Sequence, residues 1–111
     1  MEVWQDADGN QIPTSTISSR TGAEHCGSES VTYLTVDGSL YISDPMGALV
    51  GRGFVGEFEG DVELPSDASD TGYESEGRQL WLSRSEPSWA FIVTDDAVEA
   101  WPFSAEGFAC Y

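Results

Sequence analysis

The chain contains no lysine, and its four basic residues, all arginine, face twenty Asp and Glu for a net charge of -16 over 111 residues. That shortage excludes the basic stripe with which proteins neutralise phosphates, so nucleic acid and anionic membrane surfaces are poor partners. Long apolar runs are missing as well. None approaches the roughly 20 residues that a helix needs to cross a bilayer, so no membrane span is expected. Met1 is followed by Glu2 and Trp4 instead of a basic and then apolar leader, so an exported form would have lost its leader already. With one His and no Cys-x-x-Cys spacing, a zinc site is not expected. No Gly-rich phosphate loop precedes a helical pattern and no Ser elbow is present. The expectation is a non-enzymatic chain with no catalytic residue, metal or cofactor.

The chain does have apolar material: 40% of it is hydrophobic, with four Trp, four Tyr and five Phe, which is enough to build a core despite the charge. Its length suits one domain, residues 1–111, since dividing it would leave neither half a core. The clearest local pattern is Val31-Thr32-Tyr33-Leu34-Thr35-Val36-Asp37-Gly38-Ser39-Leu40-Tyr41-Ile42-Ser43. Two β-rich runs flank an Asp-Gly pair, which predicts a hairpin with a two-residue turn. Pairing across it places Val31, Tyr33, Leu40 and Ile42 on one face and Leu34, Val36 and Tyr41 on the other, so both faces have apolar surface to bury.

Residues 79–83, 89–94 and 97–101 read as three successive strands of an antiparallel meander, separated by turn residues. Val3-Trp4-Gln5 and Gln11-Ile12 bracket a hairpin loop at Asp6 to Asn10. Ala48 to Leu64 reads as strand-like sequence interrupted by glycines, and Pro65 to Arg78 as a long acidic loop with room for one short helical turn. Thr14 to Ser28 carries no firm pattern beyond a short helix around Ala23 to Cys26. With no sustained helical period, the expected fold is mainly β: a small antiparallel β-sandwich or partly open β-barrel with little helix.

The most particular surface feature lies between Phe54 and Leu64. Phe54, Phe58, Val62 and Leu64 share one parity while Glu57, Glu59, Asp61 and Glu63 share the other, predicting a strand with one face of carboxylates. Such side chains recur about every 6.6–7 Å, close to the spacing of phosphates along a nucleic-acid strand. Glu57, Glu59, Asp61 and Glu63 are therefore the candidate partner-binding residues, for a basic protein or as a DNA mimic. The alternative is an edge strand whose charges stop it pairing with another chain. A third reading is a carbohydrate-binding or hydrolytic module, with Trp81, Trp89 and Trp101 lining a groove beside a carboxylate pair such as Glu57 with Glu59 or Asp95 with Asp96. Asp6-Ala7-Asp8-Gly9-Asn10 opens like a calcium loop, but the twelfth position, which needs a bidentate Glu, is Ile17. A plain Asp-Gly turn is the simpler reading. His25 beside Cys26 does not make a catalytic pair, because adjacent side chains on extended backbone point apart.

Two cysteines permit one intramolecular bridge. Joining Cys26 to Cys110 would enclose most of the chain and, in the chain-entropy picture, contribute on the order of 4–5 kcal/mol. The alternative is two free buried thiols in a reducing compartment. Thr21-Gly22-Ala23-Glu24-His25-Cys26-Gly27, Ser30-Val31-Thr32-Tyr33-Leu34, Tyr41-Ile42-Ser43-Asp44-Pro45-Met46-Gly47 and Leu80-Trp81-Leu82-Ser83 together resemble a family of small actinobacterial secreted proteins and lipoproteins of unknown function. The resemblance rests on a Gly-x-x-His-Cys motif, an Asp-Pro turn and a late Cys. It implies an extracellular or cell-envelope location and the Cys26 to Cys110 bridge, and it implies no activity.

Overall fold

A computed structural model describes residues 3–21, 31–45 and 58–105. Cys26, Cys110, His25 and Glu57, the short helix expected at Ala23 to Cys26, and most of the strand expected from Ala48 onward lie outside the described residues. Those described are all β, with no helix, in two antiparallel sheets. The first sheet contains β1 (Ile17–Thr21), β2 (Thr32–Val36) and β3 (Ser39–Ser43), in that order. The second is a meander of β4 (Ser69–Ser75), β5 (Arg78–Leu82), β6 (Trp89–Val93) and β7 (Val98–Pro102).

The β2–β3 hairpin forms as its sequence predicts. Asp37 and Gly38 both have positive φ, 49° and 88°, the conformation that lets a two-residue turn follow the right-handed twist of its strands. Both faces of the hairpin are buried. Leu34, Val36 and Tyr41 join Trp4, Ile12, Ile17, Leu80, Ala90, Ile92 and Trp101 in the core between the sheets. Val31, Tyr33, Leu40 and Ile42 form a second cluster on the far side.

Two expectations need correction. Ile17–Thr21, within a stretch without a clear pattern, is a strand whose Ile17 is wholly buried. The supposed loop from Pro65 to Arg78 contains β4, which turns into β5 through Glu76 and Gly77 at φ 50° and 82°. The polar composition of β4 reflects a bulge. Asp70 pairs with Trp81 and Glu74 with Gln79, so Thr71, Gly72 and Tyr73 stand opposite Leu80 alone. Side chains take over the interrupted backbone pairing: Thr71 Oγ1 donates to the Leu80 carbonyl at 2.8 Å and accepts from Tyr73 N–H, while Asp70 accepts from Gly72 N–H. Gly72 sits at φ 85°, which glycine adopts without strain.

The two sheets meet at narrow seams. At one, Tyr41 of β3 bridges Phe103 just beyond β7, and their rings meet edge to face at 6.0 Å. At the other, Gln5 pairs with Glu74 on β4 while the Trp4 carbonyl accepts from Ile12 N–H. The Trp4 indole donates across to Ser19 on β1 at 3.2 Å. The resulting sandwich has one pair of edges joined by a backbone bridge and the other by the N-terminal segment, which pairs with β4 through its backbone and reaches β1 through the Trp4 side chain.

Candidate functional site

The segment with the alternating acids does not form a regular strand in its described part, residues 58–64. It lies against β7, where Glu59 and Ala100 exchange two backbone hydrogen bonds and Val62 N–H donates to Val98 O at 2.9 Å. Three residues here span what two span on β7, and Asp61 absorbs the excess at φ 57°. This left-handed residue breaks the strict alternation that the sequence suggested. Phe58 fixes the segment by packing against the core between the sheets. Glu59, Asp61 and Glu63 are all exposed.

Beside this segment is a pocket of about 240 Å³ lined by Glu59, Val62, Glu63, Glu86, Trp89, Phe91 and Ala100. Strand register accounts for its wall. Trp89 and Phe91 are two residues apart on β6 and share the face turned away from the core, and Ala100 stands directly opposite Phe91. Glu59 and Glu63 come from the segment along β7, and Glu86 from the β5–β6 loop. None of the three carboxylates has an ion-pair or side-chain hydrogen-bond partner among the described residues. Among the described residues their charges are therefore uncompensated, beside the partly exposed Trp89 ring.

The β5–β6 loop is held by Asp67. Its carboxylate accepts from the Ser83 hydroxyl, from Ser85 N–H at 2.8 Å and from the Ser85 hydroxyl at 3.0 Å. These bonds, the Ser83 hydroxyl foremost, hold the Asp67 carboxyl below the ordinary aspartate range. One residue beyond Ser85 is Glu86, whose carbonyl accepts from Trp89 N–H. Asp67 thus sets the backbone that carries one acidic and one aromatic member of the pocket.

The other sequence candidates have different roles. Trp101 faces the core and donates its indole N–H to Glu99 at 3.1 Å, while Trp89, paired with Pro102, faces outward. Trp81, Trp89 and Trp101 therefore do not line one groove. Trp81 and Trp4 spend their indole N–H groups on Gln79 and Ser19; Trp89 has no acceptor among the described residues. Asp95 and Asp96 form the β6–β7 turn, where Thr94 Oγ1 accepts from Asp96 N–H and Ala97 N–H. Asp6 Oδ1 is occupied by the N–H groups of Asn10 and Asp8, which lower its pKa, so this carboxylate stabilises its own loop. Among the described residues no helix is long and apolar enough to cross a membrane.

Of the residues expected to bind a partner, Glu59 and Glu63 reach the pocket and Asp61 is exposed outside its lining. Glu86, Trp89 and Phe91 complete the pocket. Glu86 carried no sequence signal beyond its place shortly before Trp89, because only the register of β6 brings the loop to this face. No protein-family profile, curated protein or solved structure matches the chain.

Proposed function

We propose that this domain is a non-enzymatic interaction module of the cell exterior or envelope that binds a basic protein through the acidic surface around Glu59, Glu63 and Glu86. The observation that carries this reading is the convergence, from two separate elements, of three carboxylates without a side-chain partner among the described residues on one pocket beside Trp89. In a protein with a net charge of -16, such a site draws basic partners by long-range attraction and gives them a place to dock. Export and the Cys26 to Cys110 bridge belong to the same proposal. They are supported by the number and placement of the cysteines and by the resemblance to secreted actinobacterial proteins.

The test is calorimetric titration with basic peptides of mixed Arg, Lys and Ser sequence, at low and at physiological salt. Binding that weakens with salt, and weakens further when Glu59, Glu63 and Glu86 are all changed to Gln, is the expected result. Equal binding by the triple variant would sink the assignment of this surface. A thiol count on the denatured, unreduced protein tests the bridge, and two free thiols would remove it.

A further inference from the structure

Resting on that reading, we infer that the pocket receives a single arginine side chain of the partner, its guanidinium laid against Trp89 and its N–H groups directed to Glu59, Glu63 and Glu86. Size is the first reason. At about 240 Å³ the pocket is smaller than the roughly 300 Å³ at which sites for whole small-molecule ligands begin, and it suits one side chain.

The wall is the second. Trp89 and Phe91 project from the same face of β6, with Phe91 and Ala100 buried at the base and the partly exposed Trp89 ring offering the aromatic surface. A compact, strongly hydrated ammonium gains little from such a ring. A guanidinium is flat and more weakly hydrated, stacks on aromatic faces and keeps its donors in the plane for carboxylates at the rim.

Charge is the third. The acids reach the pocket from two sides, Glu59 and Glu63 along β7 and Glu86 from the β5–β6 loop, so a forked donor finds acceptors in more than one direction. The chain's own described arginines leave the space open. Arg78 lies 5.9 Å over the Trp4 ring, and neither Arg20 nor Arg84 lines the pocket.

The test follows the Trp89 indole N–H resonance during titration with three otherwise identical peptides containing one arginine, one lysine or one citrulline. The arginine peptide is expected to shift this resonance saturably and to bind about threefold to tenfold more tightly than the lysine peptide. Citrulline, flat but uncharged, should leave it in place. Trp89→Leu should erase the preference for arginine over lysine while residual salt-dependent binding persists. If basic peptides move other resonances but leave that of Trp89 untouched, the arginine pocket is wrong and the basic-partner reading stands. If they move no resonance, both fall.

Discussion

The Trp4 indole N–H donates to Ser19 Oγ at 3.2 Å, tying the segment that pads β4 to the outer strand of the opposite sheet. Both residues are buried. Ser19→Ala leaves the indole donor unsatisfied in the interior and should cost about 1–3 kcal/mol in urea unfolding. Trp4→Ala also empties the space of the largest buried side chain and should cost about 3–5 kcal/mol. A Ser19→Ala variant as stable as the parent would show that packing alone holds this corner.

Two glycines should respond in opposite ways to alanine. Gly77 lies at φ 82° with no atom of the described residues beyond its chain neighbours within 4 Å of where an added methyl would sit, so the cost of Gly77→Ala is backbone strain, about 1–2 kcal/mol. At Gly60 the added methyl would touch the Phe58 ring at 3.7 Å, an ordinary contact. Gly60→Ala should therefore be neutral or stabilising by up to about 1 kcal/mol. Thermal melts of the two variants decide the matter, and equal losses would contradict it.

Thr71 replaces a lost strand partner with its hydroxyl, donating to Leu80 O and accepting from Tyr73 N–H. Thr71→Val keeps the shape and removes both bonds, which should cost about 1–2 kcal/mol. Amide exchange should quicken at Tyr73 before it does in β6 and β7. Unchanged protection at Tyr73 would assign the bulge to backbone geometry instead.

Acid should loosen the loop that carries Glu86. The Asp67 and Asp6 carboxyls are both held below their ordinary value of 3.8, so the stability they add is complete above that pH. It is lost as pH falls through their lower folded values. Asp67→Asn should flatten the acid side of the Tm–pH curve and speed amide exchange at Ser85 at neutral pH. An acid limb of unchanged slope would show that other carboxylates govern it.

The parts of the fold legible in the sequence were those in which a local rule and the tertiary structure agree. Asp37-Gly38 is a pair that tolerates positive φ, and the two parity sets of its hairpin separate into the two apolar clusters. Glu76-Gly77 makes a turn of the same form, but Glu is seldom found at such a position, and the strand before it is disguised by the turn-like residues of its bulge. Trp89 and Trp101 look alike in sequence. Only the pairing of Trp89 with Pro102 and of Ala90 with Trp101 sends one to the pocket and the other to the core. Alternation singled out Glu59 and Glu63, whereas Glu86 reaches them through a tertiary contact that no short-range pattern contains.

The seams between the sheets also bear on the order in which the chain assembles. Each described sheet is built from neighbouring hairpins or a meander, apart from the excursion between β1 and β2, so most of its pairing needs only short loops to close. The seams join distant positions: Ser75 Oγ reaches Val3 O across 72 residues, and Tyr41 OH reaches Pro87 O across 46. Closing such loops costs entropy before any contact repays it. The β4–β7 meander is therefore placed to collapse early, and the docking of Trp4 and Tyr41 to follow once the main barrier has been crossed. Substitutions at these two residues should then act chiefly on the speed of unfolding and leave the refolding rate nearly unchanged.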